Sequence, residues 1–173
     1  MANSLGTYEQ TQMKSVLFGL IAVMVAPPAL AQNAAQIAKV QGGASCAHCN
    51  LFQADLGNRV LKSRDLAGSR LRQSDMSLSV LNNSNMSHAD LRDINGYGAL
   101  FNGVIFAGAD LTNATLVGGD FAGANFRGAK LNGVNLSGAE MDKSLGLTQR
   151  QLDAACGDEK TLLPKHLHVP ACK

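Results

Sequence analysis

The chain of 173 residues has no tryptophan, and aromatic residues of any kind make up only 5% of it. A formal net charge of +2 leaves no excess of either sign, which argues against a protein that holds a polyanion by its overall field. The apolar run Val16–Ala26 has 11 residues, well short of the ~20 that span a bilayer. No Ser/His/Asp set, paired acid or P-loop is present, so the sequence offers no familiar catalytic chemistry. From Leu51 to Met141 the apolar residues also lack both ordinary periods. A repeat of 3.6 does not fit them and neither does a repeat of 2, which removes an amphipathic helix and a plain strand alike.

The period that is present is five. Stepping from Leu51 to Met141 visits nineteen positions, of which eighteen are Leu, Met or Phe and one is Gly96. Two residues before this centre the side chain is usually small, as at Ala54, Ser69, Ser84, Ala109 and Ala124. One residue before it stands Asp or Asn in most units, as at Asp55, Asp75, Asp90, Asp110 and Asn125. Two residues after it glycine recurs, at Gly103, Gly108, Gly118, Gly123, Gly128, Gly133 and Gly138. The unit is A-(D/N)-L-x-G, and self-similarity at a fixed step is the mark of a stacked repeat architecture.

The runs Ala109-Asp110-Leu111-Thr112-Asn113 and Ala124-Asn125-Phe126-Arg127-Gly128 carry a resemblance to the pentapeptide-repeat family, over residues 46–142. The resemblance implies an all-β solenoid, a right-handed quadrilateral β-helix with four units per coil and about five coils. The centres then point inward and stack at a step of twenty residues. The Asp residues before each centre read as solvated or turn residues. The cluster Phe101, Phe106, Phe121 and Phe126 reads as core and calls for no cofactor. Three departures stand out. Gly96 leaves a hole that Ile94, two residues before it, is expected to fill by a volume swap. Arg59 and Arg64 occupy small-residue positions where neither can be buried unpaired, so the coil is expected to open there or to let both side chains escape at the corners.

Residues 1–31 read as a signal peptide. Lys14 supplies the positive start, Val16–Ala26 the apolar stretch and Ala29-Leu30-Ala31 the cleavage site, with Met13 an alternative true start. No cysteine lies just after the cleavage site to accept a lipid anchor. Export implies an oxidising compartment, so the chain is expected to be periplasmic or secreted. Residues 32–45 form a lead-in expected to be flexible or to cover the open end of the stack. Residues 143–173 are expected to form a capping helix and a tail, with Thr148–Gln151 opening a helix over Leu152–Cys156 and Gly157 stopping it.

The four cysteines are Cys46, Cys49, Cys156 and Cys172. For Cys46-Ala47-His48-Cys49 three readings stand side by side. These are a structural disulfide closing the end coil, a redox site lacking the usual βαβ surroundings, and a zinc site short of ligands even with His48. On the rod that the resemblance implies, the ends lie ~20 Å or more apart, so the expected pairs are Cys46–Cys49 and Cys156–Cys172.

The function expected is a non-enzymatic structural or interaction module of the bacterial cell envelope, with no cofactor, no metal and no catalytic residue. Its partner would be another envelope protein or itself, with no nucleic acid and no stable membrane insertion after cleavage. Some cytoplasmic members of the resembled family mimic DNA and bind type II topoisomerase. That requires an acidic rod, whereas residues 46–142 hold nine Asp plus Glu against eight Lys plus Arg. A candidate interface lies where the polar rule before the centre fails. Val60, Val80 and Leu100 recur every twenty residues, Leu78 lies near the same edge, Ile105 falls on the next face, and Tyr97 with Val117 forms a second pair.

Overall fold

The computed structural model describes residues 32–173. The expected signal segment and its cleavage site lie outside the described residues.

Each five-residue unit is one turn and one bridge. The carbonyl of the centre accepts a hydrogen bond from the N–H three residues on, as from Ala109 to Phe106 and from Ala114 to Leu111, both 2.9 Å. The residue two after the centre is left-handed in every unit from His48 (φ 56°) to Gly138 (φ 66°). A positive φ at that place is the type II pattern and explains why glycine gathers there. The residue before the centre then pairs in parallel with its equivalent twenty residues later, from Asn50 with Arg70 to Asn125 with Leu145. Four such columns share each twenty residues, so the coil has four sides. A side holds one bridged residue between two turns, and no continuous strand forms among the described residues.

The Asp and Asn residues at the bridge position shape these turns. The side-chain oxygen accepts the backbone N–H two residues on, for example Asp75 from Ser77 at 2.9 Å, Asn125 from Arg127 at 3.0 Å and Asn135 from Ser137 at 2.9 Å. Such an Asx turn offers the backbone a local partner and steers the chain into the corner.

The centres are fully buried and fill the rod. Phe101 stacks on Phe121 and Phe106 on Phe126, each with ring centroids 5.1 Å apart, which follows from the coil repeat of ~4.8 Å. The atoms nearest to where a side chain on Gly96 would begin are Leu116 Cδ2 at 2.9 Å and the Phe101 ring at 3.3 Å. Leu116 of the coil above and Phe101 of the neighbouring column therefore close in on the space at Gly96, and Ile94 is buried two residues before it. The position two residues before the centre also admits larger side chains, because Ile94, Val104 and Val134 are buried there.

At Arg59 and Arg64, as at Cys49 and Ile94, the turn bond to the preceding centre is missing among the described residues. The opening is local, since Val60 still pairs with Val80 and Asp65 with Asn85. At Arg64 a serine from the next coil completes the turn. Ser84 Oγ donates to the Leu61 carbonyl at 3.0 Å and accepts the Arg64 N–H at 3.0 Å. Arg59 reaches down to the Gln41 carbonyl at 3.5 Å, but the Nε atoms of both Arg59 and Arg64 are buried without a hydrogen-bond partner, so neither side chain escapes wholly at its corner.

Both ends are covered. Helix α1 (Ala34–Gln41) starts at Asn33, whose side chain accepts the Gln36 N–H, and turns Ile37 and Val40 onto the open coil. Its neighbourhood also supplies partners for the lowest backbone groups. Gln36 Oε1 accepts the Asn50 N–H at 2.6 Å, Gln41 donates to the Asp55 carbonyl at 2.8 Å, and Ser45 Oγ accepts the Asp65 N–H at 2.9 Å. At the other end, α2 (Gln149–Leu152) opens with the Thr148 capping box but stops at Asp153, well before Cys156. Gly157 is not its terminator, because it pairs with Ala171. The repeat does not end at Met141 either. Leu145 bridges Asn125, and beyond α2 the chain rejoins the columns, with Cys156 on Asn135 and Leu162 on Glu140. The step there is no longer twenty, so the eye loses the period while the backbone keeps it. No helix among the described residues is long and apolar enough to cross a membrane.

Candidate functional site

Most of the rod surface is occupied by its own turns. The side bearing Val60, Val80, Leu100, Asp120 and Glu140 is different. These five stack as one bridged column, and the first three give up the Asx bond that Asp and Asn make in other columns. Val60 is 66% exposed, Leu100 is also exposed, and Val80 is half-buried between them. Leu78 and Tyr97 are exposed on the adjoining corner, with Val117 half-buried above Tyr97. Neither α1 nor the tail lies over this side far enough to hide it. Ile105 is exposed in a separate column, between Asn85 and Asn125, and does not join the patch.

Leu78 has a property that spacing alone does not reveal. Its φ is 54°, the left-handed conformation that glycine and asparagine adopt most easily. The same corner carries Asn58, Gly98, Gly118 and Gly138 at the equivalent places. Leu78 Cδ2 leans over Gly98, where an added Cβ would meet it at 2.9 Å. One coil further, a Cβ on Gly118 would meet nothing within 4 Å.

The charged side is tied up internally. Arg92 forms a two-pronged pair with Asp90, with Nη2 to Oδ2 at 2.7 Å, Arg72 pairs with Asp93 at 3.0 Å, and Lys130 with Asp110 at 3.2 Å. The Arg92 hydrogen bonds hold the Asp90 carboxyl below its ordinary value of 3.8. Burial would raise Asp110, but the Thr112 hydroxyl and N–H together with Lys130 outweigh it and leave that carboxyl lowered as well.

The cysteines pair within each end of the rod. Cys46 and Cys49 are joined across one corner, with Cα atoms 5.6 Å apart, and both are buried beneath α1. Ser69 completes this turn as Ser84 does at Arg64, donating to the Cys46 carbonyl at 2.8 Å and accepting the Cys49 N–H at 3.2 Å. Joined as a disulfide, the two sulfurs are not metal-ligating thiolates. Among the described residues, no group of His, Cys, Asp or Glu is arranged to hold a metal ion. Cys156 and Cys172 are joined with Cα atoms 4.8 Å apart and close the tail against the last columns. A cleft of about 560 Å3 opens beside Cys172, lined by Ser137, Gly157, Asp158, Glu159, Val169 and Ala171. The Asp158 carboxylate in it is already engaged. The Gly138 N–H at 2.8 Å comes first among the groups that lower its pKa, followed by Thr161 and the Lys160 N–H.

A four-sided coil with a twenty-residue repeat and a filled apolar interior defines a β-helical solenoid. The pentapeptide-repeat family model matches it in eight copies over residues 65–95, 97–128 and 105–142, and the chain belongs to that family. The match begins just beyond Arg59 and Arg64, where the turns are open. Among solved structures, the pentapeptide repeat protein Rfr23 from the cyanobacterium Cyanothece 51142 superposes with a TM-score of 0.62 at 20% identity, over 75% of this chain and 97% of that one. It fixes the fold as the right-handed β-helix. A pentapeptide repeat protein of the Arabidopsis thaliana thylakoid lumen is 31% identical over 51% of this chain and 55% of its own, with a TM-score of 0.30. QnrB1, a plasmid-mediated fluoroquinolone resistance protein, is 21% identical over 64% of this chain and 65% of its own, with a TM-score of 0.34. These two superpositions are too loose to bear on this fold. No curated protein matches the chain.

Proposed function

We propose that this protein is a non-enzymatic structural or protein-interaction module of the bacterial cell envelope, periplasmic or secreted. The single observation that carries the reading is the outward column of Val60, Val80 and Leu100. It keeps apolar side chains in water where the repeat elsewhere prefers an Asx turn, and an apolar patch rimmed by polar groups is what an interface leaves on a free protein. The rod beneath it is about five coils long, or ~24 Å, and acts as a stiff scaffold for that face. The short helix and the disulfide-tethered tail close its far end. Envelope location is supported by the signal-like N-terminus and by two disulfides in so short a chain, which suit an oxidising compartment. A DNA-mimicking role is disfavoured by the near balance of acids and bases along the rod.

A photo-crosslinking residue placed at Leu100 in cells, with another at Thr115 on a different side as control, tests the proposal. The expected result is a discrete adduct from position 100 in the envelope fraction and none from position 115. Equal labelling from both sides, or protein confined to the cytoplasm, removes the reading.

A further inference from the structure

Leu78 is placed where folding gives no reason for a leucine. The backbone there is left-handed, which favours Asn or Gly, and the side chain is 55% exposed, so neither local conformation nor the core asks for it. It stands beside the column that forgoes its Asx turns. Two independent costs to the isolated rod therefore fall on one face.

Charge is also graded along that face. Lys62 is exposed at its lower end, while Asp120, Glu140 and Asp142 mark its upper end, with apolar residues between.

We infer that this face binds a second copy of the chain, the two rods lying antiparallel with a two-fold axis in the plane of contact at the level of Leu100. In that arrangement each column meets itself reversed. Leu100 lies against Leu100 of the second copy. Leu78, one coil below the axis, falls opposite Gly118 of the second copy, one coil above it, and Gly118 is the open notch on that corner. Lys62, two coils below, falls opposite Asp142 of the second copy, two coils above. A parallel copy would instead set the acidic ends level with each other, so charge selects the antiparallel sense. Val80 lies against Asp120 of the second copy, whose carboxylate is already held by Asn102 at 2.7 Å, and Val60 falls opposite Glu140 at the open rim of the contact. One side of so slender a rod falls short of the ~800 Å2 per partner of a standard interface, so the dimer forms and dissociates with concentration.

The inference rests on reading this face as an interaction surface, and the experiment separates the two. Sedimentation equilibrium of the purified, oxidised protein is measured from about 1 μM to about 1 mM, a range that brackets a weak interface. Wild type is expected to pass from monomer to dimer. Leu78→Asn should weaken the dimer roughly tenfold or more while raising the melting temperature of the monomer, because it relieves the backbone. Lys62→Glu and Asp142→Lys should each weaken it, and the double exchange should restore it. A monomer at every concentration, a Leu78→Asn variant that dimerises normally or melts lower, or a double exchange without rescue overturns the inference. A hetero-adduct from position 100 without any homodimer overturns the second copy while leaving the interaction face standing.

Discussion

At the scale of single residues, inward and outward neighbours in one unit should behave very differently. Leu111 is fully buried in its column, and an aspartate there would be an unpaired charge inside the rod. Leu111→Asp should abolish the cooperative melt. Asp110→Ser, one residue away, should cost about 1 kcal/mol or less, because serine can still accept the Thr112 N–H and the lost Lys130 pair is a surface one. Thermal melts of the two variants check the inward phase, and equal losses would contradict it. Asp90 adds a pH dependence. Its carboxyl is lowered in the folded state by Arg92, so its contribution is fully present above the ordinary carboxylate value and is lost as pH falls below that and through the lowered folded-state value. Stability should therefore drop below about pH 4, and Asp90→Asn, which keeps the Asx turn, should flatten part of that drop when melts are compared from pH 7 down to about pH 3. The five-residue period made the inward and outward assignments legible from the sequence. It marked the Asp residues as solvated or turn residues without showing the bond that makes the turn, because a hydrogen bond to the second residue on leaves no trace in spacing. It placed Leu78 two residues after Met76, where glycine recurs, but did not show that the leucine keeps the left-handed turn.

At the scale of elements, the two ends were the hard part. Helix α1 has eight residues and turns only Ile37 and Val40 inward, too little amphipathic stripe to stand out against an Ala- and Gln-rich stretch. Its value lies in the partners that it brings to the first coil, such as Gln36 for the Asn50 N–H and Ser45 for the Asp65 N–H. Removing residues 32–45 should leave the upper coils intact but unprotect the amides of the first coil. Hydrogen exchange should show Asn50 and Asp65 opening first, and uniform loss of protection along the rod would contradict that picture. The last elements hid for another reason. Insertion of α2 stretches the step beyond twenty, so Cys156 and Leu162 return to columns that no fixed period could have placed. Gln151 pins this detour by donating to the carbonyls of Phe126 and Ala129, both at 2.8 Å.

At the scale of the whole molecule, stability accumulates coil by coil, each layer resting on the one below. Peptide mapping without reduction should return Cys46 with Cys49 and Cys156 with Cys172, one link at each pole. A link between poles would require a chain folded back on itself. The fold class was legible because a solenoid writes one rule many times over, whereas the candidate interface is written once, in the exceptions to that rule. The parallel ladder at a step of twenty has a further consequence for how such a chain can change. Four units complete a revolution, so the sequence works like an indexed dial. Adding one whole revolution between Leu81 and Met86 would lengthen the molecule and leave Val80 and Leu100 in line. Adding a single unit at the same place would swing everything beyond it through a quarter turn, parting Leu100 from Val80 while sparing the interior. Both variants should fold, but only the longer one should keep Val80 and Leu100 on one side of the rod.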